Sequence, residues 1–190
     1  MITPSKITKF NRTESELQEY FLFCVCVAGK TAVVQAKKLD DFLTPAWNHN
    51  LTPFEYIQTL IDNDTLLYKI QQVKLGQYKR LYEIFKLSVN LDLSKISIDD
   101  LEKIPGVGPK TSRFFLMHTR RNQKIAVLDT HILKWLNETV DVDNISIPNS
   151  TPQTPSRYKK LEKLFLDEAN KRGISPSKLD LEIWNSYARV

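Results

Sequence analysis

Short apolar stripes at helical spacing, each opened by a capping signal, run almost the length of the chain. Ile132, Leu133 and Leu136 share one face of a helix, as do Leu179, Ile183 and Trp184. Thr13 with Glu16, Thr52 with Pro53 and Glu55, and Ser97 with Asp100 each fit a capping box, in which hydroxyl and carboxylate satisfy the orphan amides of a first turn. Ser175 and Pro176 open a last helix in the same way. The pattern predicts helices over roughly 13–28, 31–43, 53–62, 64–73, 76–88, 97–104, 109–121, 130–138, 156–172 and 176–188. Thr44–Leu51 and the polar stretch Asp141–Pro155, with its three prolines, are expected to be loops. No segment shows the Val/Thr alternation of a sheet, so the expected class is all-α.

Composition narrows this picture. With 190 residues, 42% of them hydrophobic, the chain can close one substantial core or two small lobes that share an interface. The helices flanking Asp141–Pro155 carry apolar faces too short for independent cores, so one fold with a long surface loop is expected. The run Tyr20–Ala28 is apolar but far too short to span a bilayer, and reads as a buried core helix in an intracellular protein without membrane contact. Cys24 and Cys26 are the only cysteines and lie within that run, where they serve as small hydrophobes.

The net charge of +5 favours an acidic partner, and its distribution says more. Lys103, Lys110, Arg113, Arg120, Arg121 and Lys124 occur in one stretch with no carboxylate among them. Overlapping its start lies Leu101-Glu102-Lys103-Ile104-Pro105-Gly106-Val107-Gly108-Pro109-Lys110-Thr111. A helix ends at Pro105, the two glycines permit a tight turn with positive dihedrals, and Pro109 starts a helix where its missing amide costs nothing. With no side chain at Gly106 or Gly108, a phosphate can approach the amides, and the next helix adds its positive dipole end.

Lys110 stands in the first turn of that helix, where the dipole opposes a positive charge. A neutral amine could attack an electrophilic sugar carbon; an ammonium would pair with phosphate. Nineteen residues on, Ala126-Val127-Leu128-Asp129-Thr130-His131-Ile132 delivers Asp129 to a helix cap. As a cap it would contribute roughly 1 kcal/mol. A rigid carboxylate there could also stabilise the positive charge that grows on a deoxyribose ring as its base leaves.

Together the hairpin, Lys110 and the Leu-Asp-Thr-His stretch resemble the helix-hairpin-helix DNA glycosylases, the endonuclease III and 8-oxoguanine glycosylase superfamily. The close match runs from about Ile96 to Trp135. The resemblance implies a two-lobed all-α glycosylase fold. One lobe of six helices would span approximately 50–135 with the hairpin at 101–111, and the other would combine approximately 1–44 with 136–190. It implies a monomeric enzyme of base-excision repair acting on double-stranded DNA that carries a damaged base or abasic site. Lys110 matches the lysine that marks members with lyase activity, and Asp129 the catalytic aspartate.

The resemblance also implies DNA contacts by Gly106, Val107, Gly108, Lys110, Thr111 and His131. A monovalent cation would be held by the main-chain carbonyls of Glu102, Ile104 and Val107. The four-cysteine loop of iron–sulfur relatives has no counterpart, since no cysteine follows Cys26. Leu179–Tyr187 instead resembles the tail of compact, cluster-free 8-oxoguanine glycosylases, which points to an oxidised purine. Candidates for the base pocket are Phe114, Trp184 and Tyr187, with Trp47 and His49 beside them; at helical spacing Leu179, Ile183 and Trp184 also suit plain core packing. Two other readings remain open: a helix-hairpin-helix module that binds DNA without catalysis, and a glycosylase fold acting on hypermodified bases or free nucleotides.

Overall fold

A computed structural model of the chain describes residues 1–140 and 145–187. Among these residues ten α-helices follow one another: α1 (Glu14–Cys26), α2 (Ala32–Asn48), α3 (Pro53–Asp62), α4 (Leu66–Gln72), α5 (Tyr78–Ser88), α6 (Ile98–Glu102), α7 (Pro109–Thr119), α8 (Thr130–Thr139), α9 (Pro155–Lys171) and α10 (Pro176–Tyr187). No strand occurs among the described residues, and none of their helices is long and apolar enough to cross a membrane. Residue 188, the expected end of the last helix, and Asp141–Asn144 of the expected loop lie outside the described residues.

Two departures from the sequence pattern have physical causes. A single turn of 3-10 helix at Pro4–Lys6 was not expected. The stretch from Thr44 to Asn48, expected as loop, continues α2 with Pro45 inside it. Proline there forfeits one helical hydrogen bond, but Phe42, Leu43 and Ala46 are each fully buried along one face. Burying a side chain of Leu or Phe size contributes about 1.5–3 kcal/mol, so the helix follows its apolar face past the breaker.

All three expected capping boxes form, with both limbs in place at Thr13 and Glu16, Thr52 and Glu55, and Ser97 and Asp100. Hydrogen bonds from Ser97, and then from Lys103, hold the Asp100 carboxyl down at about 2. A depressed carboxylate of this kind stabilises above its ordinary value of 3.8. The contribution is lost as pH falls through the lowered one, so the cap of α6 outlasts mild acid.

The described residues form two compact units, Met1–Ile7 with Asn11–Phe115, and Thr8–Phe10 with Leu116 onward. The division thus falls inside α7, and not near residue 135 as expected. Residues 1–7 and the first two helices join the unit that carries the hairpin. The reason is the apolar run of α1: every residue from Tyr20 to Cys26 is buried, and a helix apolar all round needs neighbours on all sides. It finds them in α2, α3 and α5. Burial pushes both thiols up to about 12, so Cys24 and Cys26 behave as hydrophobes.

In the second unit α10 packs on α8 and α9. His118, fully buried on α7, hydrogen-bonds through Nε2 to Asp180 of α10 at 3.0 Å and through Nδ1 to Thr8 at 2.8 Å. Three separated stretches are thereby joined through one ring.

Candidate DNA-binding and active site

The hairpin between α6 and α7 is built around one strained residue. Gly106 has φ +90°, a region that favours glycine, whereas Gly108 does not adopt positive φ. The two glycines therefore differ in purpose, contrary to the shared reason read from the sequence. A Cβ at Gly106 would meet Arg80 Cγ at 3.0 Å and Ile84 Cδ1 at 3.3 Å; one at Gly108 would meet nothing within 4 Å. Gly108 leaves open space in front of the turn. Gly106→Ala is expected to destabilise the protein by roughly 1–3 kcal/mol through backbone strain, read as a lowered chemical-denaturation midpoint, while Gly108→Ala leaves the midpoint nearly unchanged.

Two side chains that sequence reasoning missed brace this turn. Arg80 of α5 donates to the Gly106 carbonyl at 3.0 Å, to the Val25 carbonyl at the end of α1 at 3.0 Å and to Gln77 Oε1 at 2.6 Å. A cation in the first turn of a helix opposes the dipole, and that misplacement was the available signal. Glu102, the last residue of α6, accepts from Ser112 at 2.8 Å and from Arg113 at 2.7 Å, tying the hairpin's two helices together.

The amide of Val107 donates to Ile104 and that of Thr111 to Gly108, each at 2.9 Å. Thr111, expected among the phosphate contacts, is also buried. Among the described residues the amides of Gly106, Gly108 and Lys110 donate to no protein group. Those of Gly108 and Lys110 flank the start of α7, where the helix dipole favours an anion. Lys110 is half-buried, with Nζ 4.8 Å from the centroid of the Phe114 ring. That ring packs in turn on Tyr20 and Phe23 of α1, at centroid distances of 5.9 and 6.4 Å. Phe114, a pocket candidate from sequence, thus lies against the Lys110 side chain. Trp47 and His49 close α2 in the same unit, the first half-buried and the second exposed.

Three other expected residues meet in the second unit. Asp129 caps α8 through Oδ1, which accepts from the amides of His131 and Ile132 at 2.9 Å each. The chain leading to it is pinned from α9 and from the preceding loop. Glu162 accepts from the Ala126 amide at 2.9 Å; the Tyr158 hydroxyl donates to Ala126 O at 2.8 Å and accepts from Leu128 N at 3.2 Å. Thr151 donates to Leu128 O at 2.8 Å. Four hydrogen bonds to Ala126 and Leu128 fix the approach, so the half-exposed carboxylate has little freedom. Their partners lie 23 to 36 residues away, which is why no local pattern revealed them.

Tyr187 lies over the start of α8: its ring is 6.3 Å from that of His131 and 5.1 Å from Lys134 Nζ, and its hydroxyl bonds Glu138. That hydrogen bond to a carboxylate raises the phenol above its usual range. Trp184, one turn earlier on α10, is half-buried.

No protein-family model matches the chain. Among solved structures it is similar to the 8-oxoguanine glycosylase/lyase of Methanocaldococcus jannaschii in complex with a 15mer DNA containing 8-oxoguanine. The TM-score is 0.64 and the identity 21%, over 93% of this chain and 83% of that one. It is similar also to the structure of the 8-oxoguanine DNA glycosylase of the same organism, with TM-score 0.65 and 20% identity over 95% of this chain and 82% of that one. At this identity the likeness establishes the fold, an all-helical helix-hairpin-helix glycosylase fold, as the sequence resemblance implied.

Proposed function

We propose that the protein is a DNA glycosylase with an associated strand-nicking activity, acting on an oxidised purine. The observation that carries this reading is the position of Lys110. It stands in the first turn of α7, two residues after Gly108, whose amide donates to no protein group among the described residues, in a fold shared with proteins named for 8-oxoguanine.

In this reading the duplex backbone sits on the hairpin, and the damaged nucleotide leaves the stack, at a cost of a few kcal/mol that damage reduces. Neutral Lys110 attacks C1′ while Asp129 stabilises the oxocarbenium character of the sugar, and the base departs. The bond from Nζ to C1′ becomes an imine as the ring opens. Loss of a proton from C2′ then expels the 3′ phosphate by β-elimination, and water releases the amine. His131 contributes to holding phosphate, and Trp184 and Tyr187 of α10 contribute to the base pocket.

The carbonyls of Glu102, Ile104 and Val107 suit a monovalent cation: Ile104 O already accepts one amide, which leaves it a lone pair for an ion. A cation held there would supply positive charge against a DNA phosphate. No other cofactor enters the reaction.

The test is a set of duplexes each carrying one lesion, assayed for released base and for strand scission. 8-Oxoguanine is expected to be released fastest; release of no lesion from any duplex would overturn the reading. Gly108→Leu places a side chain into open space, so it should fold normally while covering the Gly108 amide. Losing one or two charge-assisted hydrogen bonds to phosphate, each worth about 1.5–3 kcal/mol, should weaken duplex binding at least about tenfold. The loss should be similar for all sequences, because the contact is to backbone. Fluorescence anisotropy at fixed salt measures it.

A further inference from the structure

A groove of about 950 Å³ opens within the second unit, between the turn that follows α7 and one face of α9. Arg120, Arg121 and Lys124 stand on the side of the turn, and Lys159 and Lys163 on α9. The two carboxylates of the lining are already engaged: Glu162 accepts from the Ala126 amide at 2.9 Å, and Asp167 pairs with Lys163 at 3.7 Å. Lys124 and Lys159 are exposed and form no ion pair among the described residues. With Arg120, Arg121, Lys124, Lys159 and Lys163 against Glu162 and Asp167, the lining carries a net positive charge.

Met117, Leu166 and Ile174 also line the groove, as does the half-buried ring of Phe10, with the Arg121 guanidinium 5.1 Å from the ring centroid. A lining that joins cations to apolar side chains, an aromatic ring and a guanidinium matches a ligand that carries both phosphates and flat rings. Stacking on such faces contributes to binding for every base, whereas paired bases in a duplex cannot turn their faces to it.

We infer that this groove binds a short unstacked segment of single-stranded nucleic acid, with phosphates between Lys124 and Lys159 and a base on Phe10. The inference rests on the nucleic-acid reading above for the choice of polyanion, but not on the chemistry of Lys110. The groove is lined by residues of the second unit alone and the hairpin belongs to the first, so the two sites share no residue.

The experiment is anisotropy with a short fluorescein-labelled single-stranded deoxyoligonucleotide, on the whole protein. The double variant Lys124→Glu with Lys159→Glu should weaken binding at least about tenfold and lessen its salt dependence. Phe10→Ala should weaken it about fivefold or more, through lost stacking. Unchanged affinity in both would overturn the proposal. So would a groove that polyglutamate occupies as tightly as the oligonucleotide with Phe10→Ala without effect, since that describes charge alone. Borohydride trapping on abasic duplex should persist in all these variants. Loss of lesion excision and trapping in the parent, with single-strand binding kept, would remove the glycosylase reading and leave this one standing.

Discussion

Borohydride added to the protein with an abasic-site duplex is expected to give a covalent protein–DNA product that survives denaturation, and Lys110→Gln is expected to abolish it. The expectation follows from electron bookkeeping. If Nζ adds to C1′ and water leaves, the imine carbon accepts hydride and becomes a stable secondary amine; a phosphate contact leaves nothing to reduce. An abasic site is the right first substrate because it presents the sugar aldehyde whatever base the pocket prefers. The variant should stay folded: Lys110 is half-buried, and its contact with the Phe114 ring at 4.8 Å is worth about 0.5–1 kcal/mol. Duplex binding should largely persist, since the Gly108 amide remains. Trapping undiminished in Lys110→Gln would assign the chemistry to another amine. No trapping in the parent, on abasic and lesion duplexes alike, would leave a glycosylase without the nicking step or a DNA-binding module.

The second large effect is expected at Asp129. Asparagine caps helices about as well as aspartate, so Asp129→Asn keeps an oxygen for the amides of His131 and Ile132 while removing the charge. Melting temperature and duplex affinity should stay close to those of the parent. Base excision, measured in single turnover, should fall roughly 10²–10³-fold, the range found when a stabilising group is removed from a developing charge. Asp129→Ala separates the two roles, because it should lose about 1 kcal/mol of stability as well. Near-normal excision by Asp129→Asn would make the carboxylate a cap and nothing more.

What the sequence made legible was what short spacing controls. The boxes at Thr13, Thr52 and Ser97 each close within three residues, so the helices they open were placed to within a residue or two. The hairpin and the Asp129 cap are equally local. Pro45 misled because its cost is local while the benefit of burying Phe42, Leu43 and Ala46 depends on partners elsewhere. The same distance hid Arg80, which reaches back 55 residues to Val25, and Tyr158, which reaches 30 to Leu128. The grouping of α1 with the hairpin was missed for a related reason: an all-apolar helix states that it is buried but not against what.

The Arg80 brace has a consequence for modularity. A helix-hairpin-helix looks like a cassette, and Glu102 does close its two helices from inside the segment. The angle at Gly106, however, is held by a side chain 26 residues upstream that is itself anchored to the end of α1. A fragment spanning only α6 and α7 would keep the sequence that phosphate meets and lose the part that shapes it. Transplanted into another scaffold, it would carry its amides without their aim; the smallest portable unit of this motif therefore begins before Val25.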